Sequence, residues 1–229
     1  MSTDWPSVTY LSAEALLVVD LLDRCQNPLF AAEAHLACNV TKARLRELMA
    51  GRSTARHALQ LFGAAPVPIL PTRDGAPSWP YGFCGSLSHS HRHIAVLLAR
   101  SSHFVSVGVD IEDGRPLGKT TSLTVVTEHE LQLINQAGWE STGSTAEGLA
   151  FSAKEAVFKC QFPITLDASL DFLDVKLKCG KSPKTLGVEF VSPTHQFLTE
   201  NENTINIQAL NVTGVTIVCA LNGRLRNGN

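Results

Sequence analysis

A mixed α+β fold is predicted by three features of this sequence. Segments with helix caps alternate with blocks of short apolar strands, turn residues punctuate those blocks, and one strand-turn-strand unit occurs twice in weakly similar form. The unit SLSHSHRHIAVLLA, from Ser86 to Ala99, is echoed by IQALNVTGVTIVCAL, from Ile207 to Leu221. Two similar halves facing each other, each a helix on an antiparallel sheet, would account for the echo. The division between them is drawn at 1–107 and 108–229.

Composition narrows the function classes. Hydrophobic residues are 44% of the 229 and charged residues 17%, so the chain can bury a core and is not disordered. A formal net charge of -2 excludes a duplex-coating nucleic-acid binder, which needs a basic excess. Any polyanion must be small and met locally. The six cysteines contain no CxxC pair and follow no signal peptide, so they are read as reduced, mostly buried thiols of a cytoplasmic protein. Apolar runs such as Ile94 to Ala99 are too short to span a bilayer.

The elements follow in order. Ser12 is expected to cap a helix from Ala13 to Arg24, and Thr41 to precede another from Lys42 to Met49. Gly51 is expected to break that helix before a further one from Ser53 to Phe62, and the Pro-rich stretch 66–80 to form an extended connection. Strands are expected at Phe83 to His89, Ile94 to Ala99 and Val105 to Ile111. Thr127 with Glu130, and Ser144 with Glu147, have capping-box spacing, the second opening a helix through Phe151 to Cys160. Further strands are expected around Phe172 to Leu177, Val188 to Val191, Ile205 to Leu210 and Val215 to Leu221.

Four clusters carry chemistry. In VGVDIE, Val107 to Glu112, period-two geometry puts Asp110 and Glu112 on one strand face and Ile111 on the other. Converging carboxylates suit a hard divalent cation; the alternative is a strand end emerging into solvent at Asp113-Gly114. In FSAKEAVFK, Phe151 to Lys159, helical spacing aligns Phe151, Glu155 and Phe158 or Lys159, with Lys154 at the edge; the plain alternative is a solvated Glu155–Lys159 pair. In SLSHSHRH, alternating His89, His91 and His93 could bind zinc, although a turn at Ser90 to Arg92 spoils the register; the plain alternative is a turn with polar surface histidines, and Ser88 and His89 at a strand end are good donors to a phosphate. Arg46, Arg52 and Arg56 beside Gly51 could meet a phosphate with a helix N-terminus, or be scattered surface arginines.

Taken in order, these pieces resemble the Sfp-type phosphopantetheinyl transferases, most closely the branch typified by enterobactin synthase component D. Gly51-Arg52, Ala55-Arg56 and Ala58-Leu59 resemble its GRxxAxxAL segment, and GAPSWPYGFCGSLSHS, Gly75 to Ser90, its GxPxWPxGxxGSxSH segment. VGVDIE with Arg115-Pro116-Leu117 resembles the acidic motif, FSAKEAVFK the second signature, and FPITLDASLDF the segment after it. The resemblance implies a monomer of two α/β halves with coenzyme A in the cleft between them, and an apo acyl or peptidyl carrier protein as second substrate. It implies that Asp110, Glu112 and Glu155 hold Mg²⁺ against the pyrophosphate, and that Lys159 pairs with the transferring phosphate. Ser88 and His89 would position the coenzyme; Arg52, with Arg56 and Arg73, would answer its 3′-phosphate. Glu155, or a water it holds beside the metal, would be the base for the carrier serine.

The sequence departs from that pattern in places. Phe151 replaces a common Trp, Val157-Phe158 lacks the phenolic oxygen of a frequent Tyr, the turn His89 to His93 is unusually rich in histidine, and the tail beyond Leu173 matches loosely. The residues also admit a metal-dependent hydrolase of coenzyme A or nucleotides, and a non-catalytic coenzyme A binding module.

Overall fold

Four layers, helix, sheet, sheet and helix, make up the computed structural model, which describes residues 6–24, 27–114, 125–191, 195 and 205–224. The first sheet contains β1 (Ser7–Ser12), β2 (Ala15–Leu21), β3 (Phe83–His89) and β4 (His93–Arg100) in the order β1-β2-β4-β3. The second contains β5 (Phe104–Glu112), β6 (Val175–Cys179), β7 (Thr185–Phe190), β8 (Ile205–Val212) and β9 (Val215–Gly223) in the order β5-β9-β8-β7-β6. All of the paired strands are antiparallel, as an α+β class requires. A 20-residue helix covers the outer face of each sheet: α1 (Lys42–Leu61) on the first and α3 (Ala146–Thr165) on the second. Helix α2 (Glu128–Gln136) packs beside α3. The two similar sequence units are the hairpins β3-β4 and β8-β9.

Three hydrophobic layers glue this stack. Leu16, Val18, Val96 and Leu98 face Ala55, Ala58 and Leu59 of α1. The alternate residues Leu17, Val19, Ala95 and Leu97 face Val107, Val109, Ile217 and Cys219 of the other sheet. Val218 and Ala220 then pack under Leu149, Ala153, Ala156 and Val157 of α3.

The expected helix from Ala13 to Arg24 is not formed; a turn and β2, paired with the preceding β1, stand there instead. Ala15 to Val19 are all fully buried because β2 is covered on both faces, so its sequence lacks the alternation that marks a half-exposed strand. Ser12 accepts a bond from Glu14 N–H in the turn and caps no helix. The break expected at Gly51 is also absent. Helix α1 runs through it, capped by Thr41 accepting from Arg44 N–H, because Gly51 packs against Leu87 and Ile94.

The capping box at Thr127 and Glu130 forms as expected. One residue separates expectation from fact at α3: Thr145, not Ser144, caps it, while Ser144 Oγ bonds Thr216 Oγ1 of β9 at 3.0 Å. Phe172–Asp174 is a 3-10 turn leading into β6. The thiols are less buried than expected. Cys160 and Cys219 are buried, and burial pushes both up to about 12, but Cys38 and Cys179 are exposed. Arg115-Pro116-Leu117 and Cys25 lie outside the described residues. Among the described residues, no helix is long and apolar enough to cross a membrane.

One contact sets the distance between β5 and α3. A Cβ placed on Gly108 would stand 1.8 Å from Ala156 O and 2.7 Å from Cys160 N, so helix backbone rests directly on the strand. Backbone cannot swing aside as a side-chain end can. Gly108→Ala should therefore destabilise the fold by about 3 kcal/mol or more, at the upper end of overpacking costs, as read from urea unfolding. An unchanged midpoint would show that α3 does not lie this close.

Candidate active site

Because Gly108 admits α3, the even-numbered face of β5 meets it. Asp110 and Glu112 both project toward α3, and Ile111 enters the core between the sheets. Lys159 Nζ donates to Asp110 Oδ1 at 2.6 Å, and Ser88 Oγ of β3 donates to the same oxygen at 2.8 Å. Ser152 Oγ donates to Asp110 Oδ2 at 2.6 Å. Two elements from different layers, α3 and β3, thus converge on one carboxylate of β5. Glu155, one turn before Lys159, stands 3.9 Å from its ammonium, so the expected pair forms, but the half-buried Lys159 is drawn more closely to Asp110.

Glu112 lies against the start of α3, where a Cβ on Gly148 would be 2.7 Å from its carboxyl, and its Oε1 accepts from Gly114 N–H. Burial pushes Glu112 above the usual carboxylate range; the Gly114 bond opposes this, and the charges of Asp113 and Asp110 add to it. Glu155 is raised too, first by burial, with Lys159 pulling it down and Asp110 pushing it up. Asp110 is thus felt by both glutamates.

Among the described residues, no three His, Cys, Asp or Glu side chains form a finished metal cage. In kind, the donors fit Mg²⁺. They are carboxylate oxygens that repel one another, and Mg²⁺ is commonly held by one or two carboxylates with substrate phosphates completing the shell. Asp110, Glu112 and Glu155 would hold it; Lys159 adds the positive charge a phosphate would meet.

The other expected residues divide. Ser88 and His89, adjacent on a strand, point to opposite faces: Ser88 toward Asp110, His89 toward Glu47 of α1 at 3.6 Å. A ligand touching both would have to pass the end of β3. His89, Arg44, Arg52, Gly75 and Leu87 line a cavity of about 510 Å³. There the buried Arg52 Nε lacks a hydrogen-bond partner, and burial lowers the guanidinium's pKa.

Arg56 corrects the expectation of a phosphate ligand. It is 6% exposed, bonds both oxygens of the buried Glu33 and Pro28 O, and stacks on Phe30. Nor does Arg52 stand at a helix N-terminus, since α1 is continuous. Arg46 bridges Asp23 at 3.0 Å, and Arg73 is exposed on the turn leading to Gly75. His91 and His93 line a separate cavity with Glu112 and Thr216, and no zinc cluster occurs among the described residues.

Sequence reasoning missed three features. Lys154, placed at a helix edge, is 1% exposed and bonds Glu130 Oε1 at 2.9 Å, Val125 O and Phe172 O. Glu130 also caps α2 and accepts from Leu177 N–H, so this motif lysine anchors α3 internally. Ser152 was passed over, although it stands three residues before Glu155 and seven before Lys159. An apolar cleft of about 410 Å³ opens between the halves, lined by Trp79, Leu87, Val105, Phe158, Phe162 and Lys159.

Comparison with known proteins finds one family along most of the chain. The family model described as the 4′-phosphopantetheinyl transferase N-terminal domain matches residues 32–99, and that of the 4′-phosphopantetheinyl transferase superfamily matches residues 106–209. The 4′-phosphopantetheinyl transferase Svp of Streptomyces mobaraensis is 33% identical over 165 residues, 72% of this chain and 67% of Svp. The chain belongs to the 4′-phosphopantetheinyl transferase family. Npt of Nocardia iowensis is 35% identical over 139 residues, covering 58% of this transferase and 59% of Npt. Enterobactin synthase component D of Escherichia coli O157:H7 is 34% identical over 138 residues, covering 59% of this chain and 62% of its own.

Glu155 gives a test of the electrostatics. A carboxyl whose folded pKa is raised costs the fold nothing while protonated in both states, and destabilises it once pH passes its unfolded value. Glu155→Gln should therefore melt at or above the parent temperature, with the gap widening as pH rises above the unfolded glutamate value of about 4. A variant that loses stability relative to the parent as pH rises would contradict the assignment.

Proposed function

We propose that this transferase moves the 4′-phosphopantetheine arm of coenzyme A onto a serine of an apo carrier protein, leaving adenosine 3′,5′-bisphosphate. The observation that carries the reading is the place of the Asp110–Lys159–Glu155 cluster. The Arg52 cavity and the apolar cleft share Pro77 and Leu87 in their walls, and Lys159 belongs to the second. Coenzyme A has matching halves: a polyanionic nucleotide and a slender, weakly polar arm. Arg52, with its unpartnered Nε, and His89 would meet the 3′-phosphate; Trp79, Phe158 and Phe162 would flank the arm.

A magnesium ion held by Asp110, Glu112 and Glu155 would neutralise charge on the pyrophosphate oxygens. The carrier serine oxygen bonds to the β-phosphorus as the bond to the bisphosphate breaks. Lys159 stabilises the negative charge gathering on the phosphoryl oxygens and leaving group. Glu155 takes the serine proton, a role helped by the burial that raises its pKa. Neither a coenzyme A hydrolase nor a non-catalytic binding module is favoured by any feature of the site.

The same reading makes the protein a cytoplasmic monomer of two halves, 1–107 and 108–229, with no nucleic-acid or membrane partner. Its carriers would belong to siderophore, nonribosomal peptide or polyketide assembly; one relative is named as a component of enterobactin synthase.

Incubation with coenzyme A, Mg²⁺ and several apo carriers, followed by intact-mass measurement, tests the proposal. A gain of one phosphopantetheine is expected, lost on chelation and restored by Mg²⁺. No gain on carriers that a control transferase modifies would overturn it. Glu155→Gln should slow transfer by about 10²-fold or more, since it removes both a metal ligand and the base.

A further inference from the structure

Asp110 is the one carboxylate on which the cluster turns, and its own orientation needs explaining. The terminal torsion of an aspartate is broad and nearly two-fold, so a backbone position alone does not decide which oxygen faces which neighbour. Here the oxygens are told apart. Oδ1 takes Ser88 and Lys159, and Oδ2 takes Ser152 Oγ at 2.6 Å, a charge-assisted bond.

Ser152 is 0% exposed on α3, among small residues of the face that rests on β5. It cannot reach a substrate. A helical serine often turns its hydroxyl back to the carbonyl four residues earlier, whereas this one reaches across to the strand. Resting on the transferase reading above, we infer that Ser152 is a positioning residue that fixes the rotation of the Asp110 carboxylate and so sets up the Mg²⁺ site.

Without that hydroxyl, Oδ2 loses its only hydrogen-bond donor among the described residues. Asp110 is then held at Oδ1 alone, by Ser88 and Lys159, and its carboxylate can turn about that side to offer Oδ2 to Lys159 as well. The ammonium is held more tightly on Asp110, and the carboxylate is less available to a cation. Ser152 thus acts through Asp110, as partners of metal ligands do elsewhere.

Two variants test this. Mn²⁺ binding in the presence of coenzyme A, without carrier, is followed by electron paramagnetic resonance well below the unfolding temperature. Ser152→Ala should weaken Mn²⁺ binding about 10-fold and raise the half-saturating Mg²⁺ for transfer by a similar factor. Ser152→Thr, which keeps the hydroxyl, should restore both. A purely structural serine would lower the melting temperature and leave Mn²⁺ affinity of the folded protein unchanged. That result overturns the inference, as does a parent protein that binds no Mn²⁺. If Thr is too crowded to fold, the Ala comparison decides alone. A parent that binds Mn²⁺ with coenzyme A yet transfers nothing would instead count against the transferase reading, and the Ser152 comparison would still be decided by binding.

Discussion

The bare backbone contact between Gly108 and the Ala156–Cys160 turn of α3 is the constraint on which the site depends. Any side chain at 108 would lift the helix from the strand. With the helix down, Ser152 and Lys159 come within reach of Asp110, two residues further along β5, and Glu155 stands beside Lys159. Small residues elsewhere on the same face, Gly148, Ala153 and Ala156, keep the approach close along the helix. The fold thus converts a packing choice into a chemical one.

The second sheet cannot make the site alone. Ser88 comes from β3 of the first sheet, and the cavity with Arg52 and His89 lies between α1 and that sheet's end. The apolar layer of Leu17, Leu97, Val109 and Ile217 joins the sheets and fixes this register. Two buried ion pairs hold the supporting elements from outside. Glu33–Arg56 ties the segment before α1 to α1 itself, and Glu130–Lys154 ties α2 to α3. Each has further hydrogen bonds for its remaining atoms, the condition under which a buried charge pair is tolerated.

Much of this was legible in the sequence, and the failures have physical causes. Strands β3 to β5 and β8 to β9 were read well because polar turns bound them, and the Thr127–Glu130 box because capping is local. Strand β2 was read as helix because burial on both faces erases alternation. Gly51 looked like a break because tertiary packing against Leu87 and Ile94 is invisible in one dimension. Arginine spacing suggested a phosphate cluster, but only Arg52 keeps an uncommitted buried donor; Arg56 was claimed by Glu33, 23 residues away. The motif FSAKEAVFK announced Glu155 and Lys159, yet the opposite fates of Lys154, buried structurally, and Ser152, turned to Asp110, needed the fold.

The most direct measurement is a crystal structure of the protein with coenzyme A and Mg²⁺. Oxygens of Asp110, Glu112 and Glu155 should lie about 2.0–2.1 Å from a single ion that also touches the pyrophosphate, with Lys159 moved onto the phosphate. An ordered coenzyme whose pyrophosphate lies elsewhere, with Lys159 still on Asp110 and no ion between the carboxylates, would contradict the assignment.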